Sequence, residues 1–239
     1  MWLTIGLAQL KQALRCAVRA GCRLCGKYKN GLEVCPDCAE KISRAPWGVS
    51  GLNCDSVRIP VLWREAYGGP LTELIYQSKY HGQWAGAQLL GRCIGRLPRP
   101  WLGNTPIIIP IPLSGSRLGS RGYNQSLMIA REAARCWGTP VKAQWLRKTQ
   151  DTMRQATLAR ATRQSNLRHA FLATQAVCGQ RVILIDDIMT SGATLREAVR
   201  AIRDRGGEVI GAAVIARVGP GHHQTGRLTP KHHAQRCSG

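Results

Sequence analysis

The chain has 239 residues, enough for one sizeable core and a small appendage. Lys and Arg number 34 against 13 Asp and Glu, a net charge of +21, which favours polyanionic partners such as nucleic acid beyond what one small phosphate site requires. No apolar run reaches the roughly 18–20 residues that span a bilayer, so a membrane-spanning helix is excluded.

Trp2, Leu3, Leu7, Leu10, Leu14 and Val18 recur at helical spacing, followed on one face by Lys11, Arg15 and Arg19. That pattern predicts an amphipathic helix over 1–20 and not a signal peptide, and makes cytoplasm the expected location. The ten cysteines then fall in a compartment where thiols stay reduced and clustered ones more often mean metal. Cys22-x-x-Cys25 and Cys35-x-x-Cys38 are separated by nine residues. Four thiolates at this spacing can converge tetrahedrally on Zn²⁺, in a closed structural site with no position left for substrate. A redox pair or unconnected buried thiols are the alternatives, but a redox C-x-x-C needs no second copy. The expected zinc-binding head spans 21–45. Cys16, Cys54, Cys93, Cys136, Cys178 and Cys237 lack such partners, and most of them read as small buried hydrophobes.

Residues 43–56, with Pro46, Gly48, Gly51 and Asn53, have a linker-like composition. A second domain is expected over 57–218. Val57–Trp63 reads as a strand, and Leu71–Tyr80 as a helix with Pro70 at its start. A further helix covers about Trp84–Leu97, and Ile107–Ile109 is a buried strand closed by Pro110 and Pro112. Residues 113–124 read as a flexible basic loop before a helix over Gln125–Trp137. Arg117 and Arg121 in that loop either clamp an anion or are simply solvated. Val141–Leu146 is a possible strand. Residues 147–170 are rich in Arg, Thr, Gln and Ala and read as a lid or as disorder. The basic, His-rich residues 219–239 read as a disordered tail.

The organising stretch is Val182–Thr194, V-I-L-I-D-D-I-M-T-S-G-A-T. Val182–Ile185 is a run without polar alternation, as in a parallel strand buried on both faces. Asp186 and Asp187 follow, then Thr190-Ser191-Gly192-Ala193-Thr194, then a helix with Leu195, Val199 and Ile202 on one face. In open α/β sheets ligands bind at the carboxyl ends of strands. A Thr/Ser/Gly loop entering a helix suits a phosphate, and the carboxylates suit sugar hydroxyls or hydrated Mg²⁺. Asp after a strand is often only a turn or capping residue. Capping, however, needs one such residue, not the four that follow here. A further apolar strand covers Glu208–Val218.

The thirteen-residue string resembles the phosphoribosyl pyrophosphate (PRPP) signature of type I phosphoribosyltransferases. An ordered set then runs through the chain: the four cysteines, Lys79-Tyr80, Ile109–Pro112, Arg121–Gln125, Gln155-x-x-Leu158, Arg163-x-x-Asn166, Phe171 and the PRPP string. Over about residues 20–217 this resembles the ComF/GntX family of competence and DNA-utilisation proteins. The resemblance implies a zinc-ribbon head joined to a type I phosphoribosyltransferase-like α/β domain, a parallel sheet flanked by helices. It implies that Thr190, Ser191, Gly192, Ala193 and Thr194 hold the 5′-phosphate. It further implies that Asp186 and Asp187 form the catalytic pair on the ribose hydroxyls, and that Mg²⁺ accompanies PRPP. Arg117 and Arg121 are candidates to assist pyrophosphate. Family members often carry His after the second proline, where this chain has Leu113 and Ser114, and Glu where it has Thr162. Two functions stay open. One is a Mg²⁺-dependent phosphoribosyltransferase in DNA uptake or utilisation. The other is a non-catalytic PRPP sensor or partner whose head and basic surface bind single-stranded DNA or the uptake and recombination machinery.

Overall fold

The computed structural model describes residues 21–27, 33–79, 84–99, 101, 106–149, 170–219 and 224–226. The helix expected over 1–20, residues 150–169 of the expected lid, and most of the expected tail lie outside the described residues. The chain divides into two compact units between Arg44 and Ala45.

In the first unit, Cys22, Cys35 and Cys38 are buried and form its small core, with Leu24 and Val34 packed against them. Helix α1 (Pro36–Arg44) begins one residue after Cys35 and carries Cys38.

The second unit opens on strand β1 (Trp47–Cys54), which turns at Asp55 and Ser56 into β2 (Val57–Ala66). The linker expected over 43–56 is therefore largely a strand. Gly48, Ser50, Leu52 and Cys54 are its buried positions, alternating with period two. The buried set includes Gly and Ser, which hides the alternation from a hydropathy reading. Asp55 adopts φ 49°, the left-handed geometry that a two-residue hairpin turn needs and that Asp tolerates.

The helices α2 (Pro70–Lys79), α3 (Trp84–Gly95) and α5 (Gln125–Trp137) lie where the sequence predicts them. The stretch read as a flexible basic loop instead contains a short helix, α4 (Gly115–Arg121), closed by Gly122 at φ 74°. Strand β3 (Ile107–Pro110) is paired by β6 (Arg181–Met189), and β6 by β7 (Glu208–Arg217), which pairs with β2. These four strands are parallel. The hairpin partner β1 adds an antiparallel edge, and β8 (Gln224–Gly226), inside the segment read as disordered, pairs with β1. The fold is thus α/β with a parallel sheet at its centre.

The expected strand at 141–146 reduces to a single bridge from Val141 to Ile108, a 3₁₀ turn over Ala143–Trp145, and β4 (Leu146–Lys148). β4 pairs antiparallel with β5 (Phe171–Ala173), and Thr149 donates its N–H to Ala170 O at 3.0 Å. This stem joins the two ends of the undescribed 150–169 segment.

Val182 to Ile185 are fully buried, as a strand covered on both faces requires. Val182 and Leu184 share a cluster with Leu195, Val199 and Ile202 of α6 (Ala193–Arg203). Ile183 and Ile185 project to the opposite face. On that side α5 packs against β3 and β6, and α3 against α5. Gly91 permits the second contact, since a Cβ there would stand 2.5 Å from the Ile129 carbonyl oxygen. Full burial of a Leu or Ile contributes about 1.5–3 kcal/mol, so this two-sided core anchors β6 strongly.

Candidate functional site: an acidic pair in a cationic cavity

Strand β6 does not stop before the acidic pair, as its apolar run suggests. It continues through Asp186 and Asp187 to Met189, held by pairing to β7 as far as Arg217. The carboxylates are therefore set on a strand end anchored by the core rather than on a loose turn. Both are half-buried in the wall of a cavity of about 530 Å³.

Asp186 accepts a hydrogen bond from the Ser126 hydroxyl at 3.0 Å and from the Asp187 N–H at 2.9 Å. Asp187 accepts from the Ile188 N–H at 2.7 Å and pairs with Lys79 Nζ at 2.7 Å. Burial, and then the neighbouring Asp187 charge, push the Asp186 carboxyl up to about 7. The Asp187 amide, Ser126 and Lys79 oppose that rise by favouring the charged form.

The run Arg121–Gln125 positions these partners. Gly122 ends α4, and Asn124 caps α5 by accepting from the Leu127 N–H at 3.3 Å. The Tyr123 hydroxyl donates to Ser78 O, and Gln125 Nε2 donates to Ile75 O at 3.1 Å and Ser78 Oγ at 2.6 Å. These bonds fix the last turn of α2, which ends in Lys79. The same junction places Ser126 at the first turn of α5, within hydrogen-bond reach of Asp186.

Arg117 and Arg121 both line the cavity, together with Lys79 and Lys148. Among the described residues, four cations and two carboxylates leave the lining net positive, which suits a ligand with several phosphate charges. Of the candidate phosphate loop, Thr190 and Thr194 line the cavity, whereas Ser191, Gly192 and Ala193 do not. Gly192 has φ 77° and precedes α6, a conformation that glycine adopts without strain. A Cβ there would lie 2.5 Å from Leu52 Cδ1, so its lack of a side chain also serves packing.

Ser126, Tyr67 and Tyr76 at this cavity were not legible as site residues, because each comes from a separate element. Lys79 stands in the ordered motif set, but nothing local marks it as the partner of Asp187. Leu113 lines the cavity.

In the head, the four sulfurs of Cys22, Cys25, Cys35 and Cys38 lie within 4.8 Å of one another. The group can hold a metal ion such as zinc. Burial works against ionisation of Cys22. Backbone N–H groups of Cys35, Cys25 and Leu24, with the Cys25 thiol, outweigh it and bring the thiol down to about 6. Burial, neighbouring thiols and the Cys22 charge push Cys38 up to about 12. Four thiols that cannot all ionise unaided, with amides aimed at one sulfur, form a donor set that a dication would complete. Among the described residues no helix is long and apolar enough to cross a membrane.

Residues 125–238 match the phosphoribosyl transferase domain family. The chain is similar to the DNA utilization protein YhgH of Salmonella typhi, 25% identical over 213 residues, covering 82% of this chain and 89% of that protein. It is similar to Competence protein F of Haemophilus influenzae, 31% identical over 159 residues, covering 63% of this chain and 69% of that protein. Among solved structures, the orotate phosphoribosyltransferase of Mycobacterium tuberculosis in complex with Fe(III) dicitrate aligns over 76% of this chain and 93% of that one. The identity there is 18% and the TM-score 0.36. With the four-cysteine head, the parallel sheet and the acidic pair in place, the match to Competence protein F over two thirds of its length makes this chain a member of the ComF family of phosphoribosyltransferase-like proteins.

Proposed function

We propose that the chain binds PRPP with Mg²⁺ in the cavity at the end of β6 and acts in DNA uptake or utilisation. The observation that carries the first part is the acidic pair, Thr190, Thr194 and four cationic side chains on one cavity wall. The second part rests on the names of the relatives, competence and DNA utilisation proteins, and on the net charge of +21.

In this reading Asp186 and Asp187 accept hydrogen bonds from the ribose 2′- and 3′-hydroxyls. The Thr190–Thr194 loop takes the 5′-phosphate at the N-terminus of α6. Arg117 and Arg121 neutralise the pyrophosphate as charge grows on it. In transfer, the C1–O bond breaks with its electron pair going to pyrophosphate. An acceptor lone pair forms the new bond to C1, and the acceptor's proton passes to pyrophosphate or water. The carboxylates fit a hard dication, which takes one or two carboxylates alongside substrate phosphates. Asp186 and Asp187 would hold Mg²⁺, which would supply positive charge to offset the charge growing on the leaving group. The four-cysteine head holds Zn²⁺ in a purely structural role.

Leu113 in the cavity wall, with no titratable group, favours a second reading: PRPP is sensed and not turned over. Calorimetric titration with PRPP and Mg²⁺, on the wild type and on Asp186→Asn with Asp187→Asn, tests the site. Equal affinity of the two would end the assignment. Pyrophosphate release with candidate acceptors separates enzyme from sensor. Single-stranded DNA binding should weaken steeply with salt, because bound basic groups release condensed counterions. A flat salt response would remove the DNA part.

A further inference from the structure

Six large apolar side chains are exposed among the described residues: Tyr67, Tyr76, Trp84, Leu118, Leu172 and Val218. Three of them, Tyr67, Tyr76 and Val218, line the same cavity as the acidic pair. Tyr67 is 46% and Tyr76 39% exposed, so two aromatic rings stand open to solvent at one place.

Their positions are rigid. The Tyr67 N–H donates to Arg217 O at 2.8 Å, extending the β2–β7 pairing, and Val218 donates to Met189 O at 2.9 Å. The buried Glu65 accepts from the Leu71 N–H at 3.1 Å and from the Thr72 hydroxyl at 2.9 Å, pinning the start of α2, which carries Tyr76. The two phenol oxygens are 2.8 Å apart and hydrogen-bonded, so each ring holds the other's orientation. Lys79 Nζ lies 5.4 Å from the Tyr76 ring centroid and 2.7 Å from Asp187. The ring and the carboxylate thus stand on either side of one ammonium group.

We propose that Tyr76, held by Tyr67, is a stacking platform for a planar heteroaromatic ring, set beside the carboxylate pair. Exposed rings held in fixed orientation, over a basic lining, are what bases stack on without regard to sequence. Tyr76 is chosen because, among the described aromatic residues, it alone combines exposure, the cavity and contact with the Lys79–Asp187 pair. Naming the platform as the acceptor position rests on the PRPP reading above; the stacking itself does not. The ring's source is either a free base or a base of a single strand, and both present the same face.

The test uses the full chain and four probes: free adenine, free thymine, a twelve-residue thymidine strand, and an abasic strand of equal length. Binding is measured for wild type, Tyr76→Leu, Tyr76→Phe and Tyr67→Leu, each with a melting curve. Stacking predicts that Tyr76→Leu weakens ring-bearing probes about tenfold or more, since a stacked base contributes roughly one to two decades of affinity. Tyr76→Phe should stay within about twofold of wild type, and the abasic strand should be indifferent to both changes. Tyr67→Leu, which removes the phenol bonded to the Tyr76 hydroxyl, should give an intermediate loss. Selective loss for free bases, or for the thymidine strand, supports the platform and identifies the source. Equal loss for abasic and thymidine strands, unchanged binding in Tyr76→Leu, or no binding of any ring-bearing probe by the wild type overturns it. PRPP titration of the same variants separates the two ideas. If the wild type stacks rings but does not bind PRPP, the PRPP reading fails and the platform stands.

Discussion

Replacing Asp186 by Asn should make the ligand-free protein more stable at alkaline pH. The fold holds this carboxyl at about 7 where 3.8 is ordinary, chiefly through burial and the adjacent Asp187 charge. A shift of roughly three units at about 1.4 kcal/mol each sets an upper figure on the order of 4 kcal/mol. Contact with solvent in the cavity reduces this to about 2 kcal/mol. The folded value lies above the unfolded one. The group's contribution to stability is therefore fully present below about pH 4 and is lost as pH rises through about 7. Asn keeps an acceptor for the Ser126 hydroxyl and the Asp187 N–H but carries no charge to bury. For a chain of this size about 2 kcal/mol corresponds to a rise in Tm of about 4–8 °C at pH 8, with little gain at pH 4. The assay is thermal melting at both pH values without PRPP or added Mg²⁺, beside a PRPP titration in which the variant should bind much more weakly. An Asn variant that melts at or below wild type at pH 8 would refute the reasoning.

Lys79→Met leaves Asp187 beside Asp186 without its cation. Chemical denaturation should find a loss of about 2–3 kcal/mol, below the cost of breaking a fully buried pair; unchanged stability would mean the pair is screened. Gly192→Val should lower stability as well as PRPP affinity, because φ 77° alone costs a branched residue roughly 1–2 kcal/mol and its Cβ meets Leu52. Leu52→Ala in that background should restore part of the stability, as seen by melting. Cys25→Ser should lower bound zinc from one per chain, measured by metal analysis under reducing conditions, while the melting of the unit beginning at Ala45 stays unchanged.

The local features of the chain were largely determined by residue pattern. Val182–Ile185 had to be a strand covered on both faces, since four adjacent apolar residues leave neither face polar. The 3.6-residue period of Leu195, Val199 and Ile202 was enough for α6, and Asn124 and Gly138 mark both ends of α5. The spacing of Cys22, Cys25, Cys35 and Cys38 brings four sulfurs together because the two knuckles stand only nine residues apart in the chain. Other features depended on pairing partners distant in sequence. β1 passed for a linker because Gly48 and Ser50 become strand positions only once β2 lies alongside. β6 extends through Asp186 and Asp187 because β7 continues to pair with it, although two adjacent carboxylates argue for a turn. Lys79, Ser126, Tyr67 and Tyr76 come from α2, α5 and the end of β2. Only the packing of those elements around the end of β6 sets an ammonium, a hydroxyl and two exposed rings around the acidic pair.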